Sequence, residues 1–279
     1  KMEGHRLKWA LQSCAVFIFI LATILSVHKI LSKPTGGYGY QLLGRQQHVT
    51  HAPSIDVSRE MLSSTPLKVS WKPYRPLNGY YPDQIYLYSG PEADFSRQGS
   101  RSMISTLTKP NPQTKVFTFT SLRVAQVRSV CWDEGTHVIL FPSFGEYPDF
   151  RHASRTDLKS FASRGNNLVF LGGFSNIAVL NDVFGFHLKA VSYQQGPFYK
   201  SDRNAHNTPF EAAPRELPEA DKVFGVHMSS LPAGARSYYD SLGATVAFAV
   251  RHDLGMVTYL GSDLAGSDRA WRRALNAAV

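Results

Sequence analysis

Serine, glycine, glutamate and asparagine residues follow two apolar runs of the chain, Val138–Phe141 and Leu168–Leu171. Both runs are short, uninterrupted and bounded by Gly, Pro or Ser, which is typical of strands buried on both faces of a parallel sheet. Ligands of such sheets bind beyond the carboxyl ends of the strands, so we expect the two loops to meet. The residues offered as a candidate ligand pocket are Ser143, Gly145, Glu146, Gly172, Gly173, Ser175 and Asn176.

Ser175 lies in the turn after the second apolar run and could act as a nucleophile. A catalytic serine needs a histidine base oriented by a carboxylate, and the nucleophile turn has the spacing G-x-S-x-G. That spacing is absent, and nothing in the sequence selects a base among His187, His206, His227 and His252. We therefore assign no catalytic residue and expect Ser175 to cap the helix that follows.

Histidines come close together in sequence at His48 and His51, and His137 and His152 lie near Asp149. A zinc site needs three or four N, S or O ligands that converge on the ion. The spacing of these residues does not indicate such a set, so we predict no metal site and no cofactor.

A helix must join the two apolar runs. Apolar residues recur at helical spacing from Leu158 to Ala162, which predicts a βαβ unit. Strands are also predicted at 84–89 and 115–120, each followed by a helix, so the order is β-α-β-α-β-α-β.

The remainder of the chain is predicted to extend this sheet. A helix at 176–183 is followed by a strand candidate at 187–193, antiparallel strands between 223 and 261, and a terminal helix at 268–278. Residues 194–222 show no apolar period and are interpreted as a long excursion over the strand ends. The predicted fold class is α/β, with a doubly wound, mostly parallel, flavodoxin-like sheet and an antiparallel C-terminal extension.

Three local patterns carry a family resemblance: the strand His137–Pro142, the step from Arg164-Gly165 into Leu168–Gly173, and the hairpin Leu254–Asp263. Together they make residues 84–279 resemble the class I glutamine amidotransferase-like fold, which is also seen in trehalose-utilisation-type proteins. The hairpin resembles the G-x-V-x-Y-L-G-x-D ending common in non-catalytic members.

The resemblance implies a nucleophilic Cys in the turn after Leu168–Leu171 and a His-x-Glu near the end of a catalytic member. Here that turn is Gly172-Gly-Phe-Ser-Asn176, without Cys, and no His-x-Glu occurs in the chain. Cys131 precedes the third strand, on a different connection. We therefore expect no amidotransferase or peptidase activity.

The amino-terminal segment Trp9–Val27 has 19 uncharged residues, enough for a helix of about 28 Å that crosses a bilayer. A cleaved signal peptide is the alternative, but no A-x-A site follows the segment. We predict a retained single-pass anchor within residues 1–31. Its lipid-facing and interfacial residues include Trp9, Phe17, Phe19, Leu21 and Leu25.

Residues 32–83 form a Pro/Gly-rich connector to the globular part. Its prolines and glycines exclude long regular elements, while its aromatic content is too high for a free linker. The aromatic side chains either contact a partner protein or pack on the chain's own globular domain. The candidates for partner contact are Tyr38, Tyr40, Trp71, Tyr74, Tyr80 and Tyr81.

The chain has 279 residues, two cysteines and a net charge of +9. Its basic residues are scattered and no recognition motif accompanies them, so we expect no nucleic-acid binding. The absence of glycosylation sequons and of a disulfide framework, together with the basic charge, favours an organellar membrane, mitochondrial inner or plastid. An endomembrane or plasma-membrane location is the alternative.

These features favour a non-catalytic, membrane-anchored accessory or structural subunit of a larger membrane complex. A short tail, one span, a Pro-rich stem and an α/β domain are also the layout of type II Golgi glycosyltransferases, but the Asp-x-Asp motif of most such enzymes is absent. A hydrolase of the endomembrane lumen and a module that binds a sugar or another small polar ligand are the remaining alternatives.

Overall fold

The structure is a computed structural model that describes residues 82–94, 97–191, 194–220, 222–264 and 268–279. The predicted anchor Trp9–Val27 and the aromatic connector up to Tyr81 lie outside these residues, and both stay predictions. Within the described ranges, no helix is long and apolar enough to cross a membrane.

The described residues form a mixed α/β sheet with helices packed against it. Its eleven strands are β1 (Gln84–Tyr88), β2 (Lys115–Phe119), β3 (Val138–Phe141), β4 (Asn167–Leu171), β5 (Ala190–Val191), β6 (Phe198–Lys200), β7 (Glu216–Leu217), β8 (Gly225–His227), β9 (Arg236–Ser241), β10 (Ala244–His252) and β11 (Gly255–Leu260). The six α-helices of the same residues are α1 (Arg97–Thr108), α2 (Val124–Cys131), α3 (His152–Ser163), α4 (Phe174–Phe184), α5 (Asp202–Ala205) and α6 (Arg269–Ala278). Two 3-10 helices lie at Pro209–Ala212 and Met228–Ser230.

Five strands make the parallel half of the sheet, in the order β2-β1-β3-β4-β11. The four strands predicted in the first half of the domain are confirmed, each within one residue of its predicted bounds. The carboxyl ends of β1, β3, β4 and β11 therefore lie along one edge, where the predicted pocket loops begin.

Two apolar cores cover the two faces of the sheet, because successive side chains of a strand point to opposite faces. Ile139 and Phe141 belong to the core packed against α2, α3 and α4, whereas Val138 and Leu140 belong to the core packed against α1 and α6. All residues of β3 and β4 are buried. Burial on both faces explains why these strands are uninterrupted apolar runs.

The second half of the sheet is antiparallel, in the order β11-β10-β9-β6-β7. The prediction for residues 194–222 was wrong: they are not an excursion over the strand ends but supply β6, α5, a 3-10 helix and β7. Phe198, Phe210 and Leu217 of this segment are buried. Its strands are only three and two residues long, so no period is visible in the sequence.

Candidate functional site

The turn between β4 and α4 consists of Gly172 and Gly173, both with left-handed backbone (φ 48° and 72°). A Cβ at Gly172 would lie 3.1 Å from the backbone nitrogen of Asp263, and one at Gly173 would lie 2.7 Å from Ser143 Oγ. The missing side chains thus allow the loops after β3, β4 and β11 to approach closely. The structure brings Ser143, Gly172 and Gly173 together, as the sequence suggested.

Asn176 holds two of these loops in place. Its side chain is fully buried, and Nδ2 donates hydrogen bonds to the carbonyl oxygens of Pro142 (2.8 Å) and Leu171 (2.5 Å). Pro142 follows β3 directly, and Leu171 is the last residue of β4. Asn176 Oδ1 is also buried and accepts no hydrogen bond from any described residue. A buried acceptor without a donor is costly, and it lies in the first turn of α4.

Ser175 does not cap α4, contrary to the prediction. The helix begins at Phe174, its N-cap is Gly173, and no side chain among the described residues caps it. The two left-handed glycines turn the chain early enough to start the helix one residue before the serine. Ser175 is therefore the second helical residue, half-buried, and no hydrogen bond within the described part of the chain links it to a histidine.

Gly145 and Glu146 lie in the loop after β3, beside residues that sequence reasoning missed. The loop after β1 pairs with this loop: Asp94 N donates to Ser143 O at 2.7 Å, and Gly145 N donates to Glu92 O at 3.0 Å.

Tyr88, at the end of β1, donates its hydroxyl to the carboxylate of Glu92. Burial, followed by this carboxylate, raises the pKa of the Tyr88 phenol, so the phenol stays protonated. The carboxylate of Glu146 is exposed.

Glu92, Asp94 and Asp263 could have been proposed from the sequence, because each follows a predicted strand. What the sequence lacks is the strand order, which places β11 directly beside β4 although 84 residues separate Leu171 from Gly255.

The most exposed side chain at the β4–α4 turn is aromatic. The side chain of Phe174 is 47% exposed. Its ring packs against the ring of Phe224 in a T-shaped arrangement, with 4.9 Å between the ring centroids. Two further apolar side chains, Met228 and Leu242, are also exposed. They precede β10, which is antiparallel to β11, so their turns lie at the same end of the strands as the β4–α4 turn. They belong to adjacent turns, since Met228 N donates to Gly243 O at 3.0 Å.

Cys131, the cysteine in the described part of the chain, ends the helix that leads into β3 and so lies away from this edge. Cys131 is the last residue of α2, is 1% exposed, and has its thiol pKa raised to about 12 by burial and by Asp157, so it is not a thiolate at neutral pH. Within the described ranges, no three His, Cys, Asp or Glu side chains converge in a way that could hold a metal ion. Cys131 is part of the apolar core on the α2, α3 and α4 face of the sheet.

No family model and no curated protein matches the chain. Similar solved structures include a putative ThuA-like protein from Parabacteroides merdae, with 11% identity over 71% of this chain and 88% of that chain, and a TM-score of 0.47. The cytoplasmic protein STM3548 from Salmonella typhimurium has 8% identity over 69% of this chain and 96% of that one, with a TM-score of 0.47. An exo-β-1,4-mannosidase from an Opitutaceae bacterium has 16% identity and a TM-score of 0.45, and the match covers 70% of this chain but only 35% of the mannosidase.

Proposed function

We propose that the chain is a non-catalytic accessory subunit of a membrane protein complex, and that it contacts a neighbouring subunit through the carboxyl-end edge of its sheet. The observation that carries the proposal is the exposed ring of Phe174 in the β4–α4 turn. An amidotransferase-like enzyme needs a nucleophile in that turn, where backbone N–H groups can stabilise an oxyanion.

The strand order of the sheet supports a relation to the amidotransferase-like fold class. The strand order β2-β1-β3-β4-β11 is the flavodoxin-like order 2-1-3-4-5 with β11 in the fifth place. We propose that the domain is a doubly wound, flavodoxin-like domain of the amidotransferase-like class, with β10, β9, β6 and β7 as its antiparallel extension.

The exposed apolar side chains favour a protein partner over solvent. Leu242 is fully exposed at the tip of the β9–β10 hairpin, Met228 is 40% exposed beside it, and Phe174 is 47% exposed at the β4–α4 turn. An isolated exposed leucine is ordinary, but several large apolar side chains on one side of a domain are typical of an interaction surface. The proposed occupant is an apolar surface of another subunit in the same membrane complex.

The predicted anchor would attach the chain to a membrane. We propose that Trp9–Val27 spans an organellar membrane and that the aromatic connector, from Tyr38 to Tyr81, adds a second contact to the same complex. The basic charge and the lack of sequons support an organelle over the endomembrane lumen.

The test is native electrophoresis of the full chain after its native membranes are dissolved in a mild detergent, with mass spectrometry of the band. We expect migration in a large complex of fixed composition, and dissociation of that complex by Phe174→Ser or Leu242→Asn. Leu254→Ser is the matched control, because Leu254 is 68% exposed in the β10–β11 turn at the opposite end of the strands. A wild-type chain that migrates alone would contradict the proposal.

A second candidate function is the binding of a small polar ligand at the same edge. It is favoured by Asn176 Oδ1, a buried acceptor that a hydroxyl donor of a sugar could satisfy. A ligand that binds only the folded state raises the melting temperature. We would titrate the full chain with galactose, mannose and glucose at millimolar concentrations; unchanged melting temperatures with all three sugars would remove this candidate.

A further inference from the structure

A cleft of about 590 Å³ lies at the antiparallel edge of the sheet, between β6, α5, the 3-10 helix and the start of β7. Four strand spacings separate β6 from β4, which is about 19 Å across the sheet. The cleft is therefore distinct from the carboxyl-end loops. Its lining is mostly charged: Lys200, Asp202, Arg203, Ala205, His206, Glu211 and Arg215.

Lys200 is fixed in this cleft by two backbone carbonyls. Its Nζ donates to the oxygens of Glu211 and Ala213, both at 2.8 Å, at the two ends of the last turn of the 3-10 helix. An ammonium group has three N–H donors, so one donor is left. The side chain has already lost its rotamer freedom on folding, and a ligand does not have to order it.

The acidic residue nearest to Lys200 is largely occupied by other partners. Glu211 Oε1 lies 3.1 Å from His206 Nδ1, and Oε2 accepts a hydrogen bond of 2.9 Å from Asn207 N. Both bonds lower the pKa of the Glu211 carboxyl, and the bond from the Asn207 backbone N–H has the larger effect. The carboxylate therefore stays ionised and bonded to its own loop. Glu211 therefore orders the loop, and its ion pair among the described residues is with His206 rather than with an arginine.

Arg203 and Arg215 are the two arginines that line the cleft. Both are exposed, and neither guanidinium makes a hydrogen bond or ion pair with any residue in the described part of the chain. The two come from different elements: Arg203 lies in α5, and Arg215 precedes β7. The backbone N–H of Lys200 donates to Arg215 O at 2.9 Å. A guanidinium presents paired donors that match the oxygens of phosphate and carboxylate groups.

We propose that this cleft binds an oxyanion, a phosphate or carboxylate group of a small soluble molecule, between Lys200, Arg203 and Arg215. The three cations exceed the two carboxylates of Asp202 and Glu211, and the volume is that of an ordinary small-molecule site. The proposal does not depend on the accessory-subunit function, since it concerns a different part of the sheet.

The test is isothermal titration of the full chain, purified in a non-ionic detergent, with inorganic phosphate and pyrophosphate. We expect saturable binding that weakens as salt is raised, and a loss of affinity of about tenfold or more in Arg203→Ala and in Arg215→Ala, because each removes a charge-assisted hydrogen bond. Neither guanidinium has a partner among the described residues, so both variants should keep the wild-type melting temperature.

Arg123→Ala is the matched control, because Arg123 is exposed at the start of α2 and its substitution removes the same charge. An equal loss of affinity in this control would show a general charge effect and overturn the proposal. Absence of saturable binding by the wild-type chain would do the same. A short-chain phosphatidic acid is the final arm: if it displaces pyrophosphate and binds more tightly, a lipid headgroup and not a soluble anion is the ligand.

Discussion

Asn167 Nδ2 donates a hydrogen bond of 2.6 Å to the backbone carbonyl of Ala278 and thereby joins the first residue of β4 to the last turn of α6. Its Oδ1 accepts from Thr258 Oγ1 at 3.2 Å, on the neighbouring strand β11. A single buried amide thus connects the centre of the sheet to the end of the chain.

Asn167→Ala removes both bonds and leaves a buried carbonyl and a buried hydroxyl without this partner. We expect the free energy of unfolding to fall by about 2 kcal/mol, which corresponds to a decrease of roughly 4–8 °C in melting temperature for a domain of this size. Thermal unfolding of the full chain, followed by near-ultraviolet circular dichroism, measures it. A decrease of less than about 1 °C would show that the connection contributes little.

Tyr259→Phe should stabilise the protein. Tyr259 is fully buried in β11 and its hydroxyl has no hydrogen-bond partner among the described residues. Removal of an unsatisfied buried hydroxyl is expected to raise the free energy of unfolding by about 1 kcal/mol. Tyr239→Phe is the matched change with the opposite sign, because the buried Tyr239 donates its hydroxyl to Pro214 O at 2.5 Å. If both variants melt at lower temperature, the Tyr259 hydroxyl has a partner after all.

Gly173→Ala tests the close approach of the pocket loops. Gly173 has φ 72° and ψ 148°, a combination that is essentially restricted to glycine, so alanine there costs about 1–3 kcal/mol, and the positive φ of Gly234 (80°) strains an alanine as well. A Cβ at Gly173 would also lie 2.7 Å from Ser143 Oγ, whereas nothing lies within 4 Å of one at Gly234. We therefore expect a larger loss of melting temperature for Gly173→Ala than for Gly234→Ala. The additional loss of melting temperature in Gly173→Ala should become smaller when Ser143→Ala is combined with it. The nearest remaining atom of residue 143 is then Cβ, at 3.8 Å.

His252 predicts a dependence of stability on pH. Its ring packs edge-on against Phe184, with 5.2 Å between centroids, and burial lowers the pKa of its imidazole, an effect that Lys159 adds to and Asp253 opposes. The unfolded chain therefore takes up this proton at higher pH than the folded chain. The stability from neutral His252 is fully present above about pH 6.5 and is lost as pH falls below that value.

His252→Gln should accordingly flatten the curve of melting temperature against pH between about pH 5 and 7. His152→Gln, at an exposed position at the start of α3, is the control. Parallel curves for wild type and His252→Gln would contradict the assignment.

The parallel half of the fold could be predicted because its strands are long enough and apolar enough to be recognised singly. β3 and β4 are buried on both faces, and Gly or Pro follows each. The antiparallel edge could be predicted only in part. β6 pairs with β9, and β7 pairs in turn with β6. These are long-range contacts that no local window of sequence contains.

The candidate pocket illustrates the same limit. Ser143, Gly172 and Gly173 could be grouped from the rule that strand ends meet at one edge. The error at Ser175 arose because two consecutive left-handed residues moved the helix start to Phe174, and backbone conformation at glycine is not encoded by a side chain. The sequence did not indicate the cleft around Lys200. Arg203 and Arg215 lie 3 and 15 positions after Lys200, in a segment for which no regular structure was predicted.

The position of β11 has a consequence for synthesis of the protein. Among the described strands β11 comes latest in sequence, yet it lies between β4 and β10 and joins the two halves of the sheet. During translation the parallel half therefore has an unpaired edge at β4, and the antiparallel hairpin has another at β10, until β11 emerges. Unpaired edges of this kind recruit other chains, so a message that terminates before Gly255 should yield an aggregating product rather than a smaller folded domain.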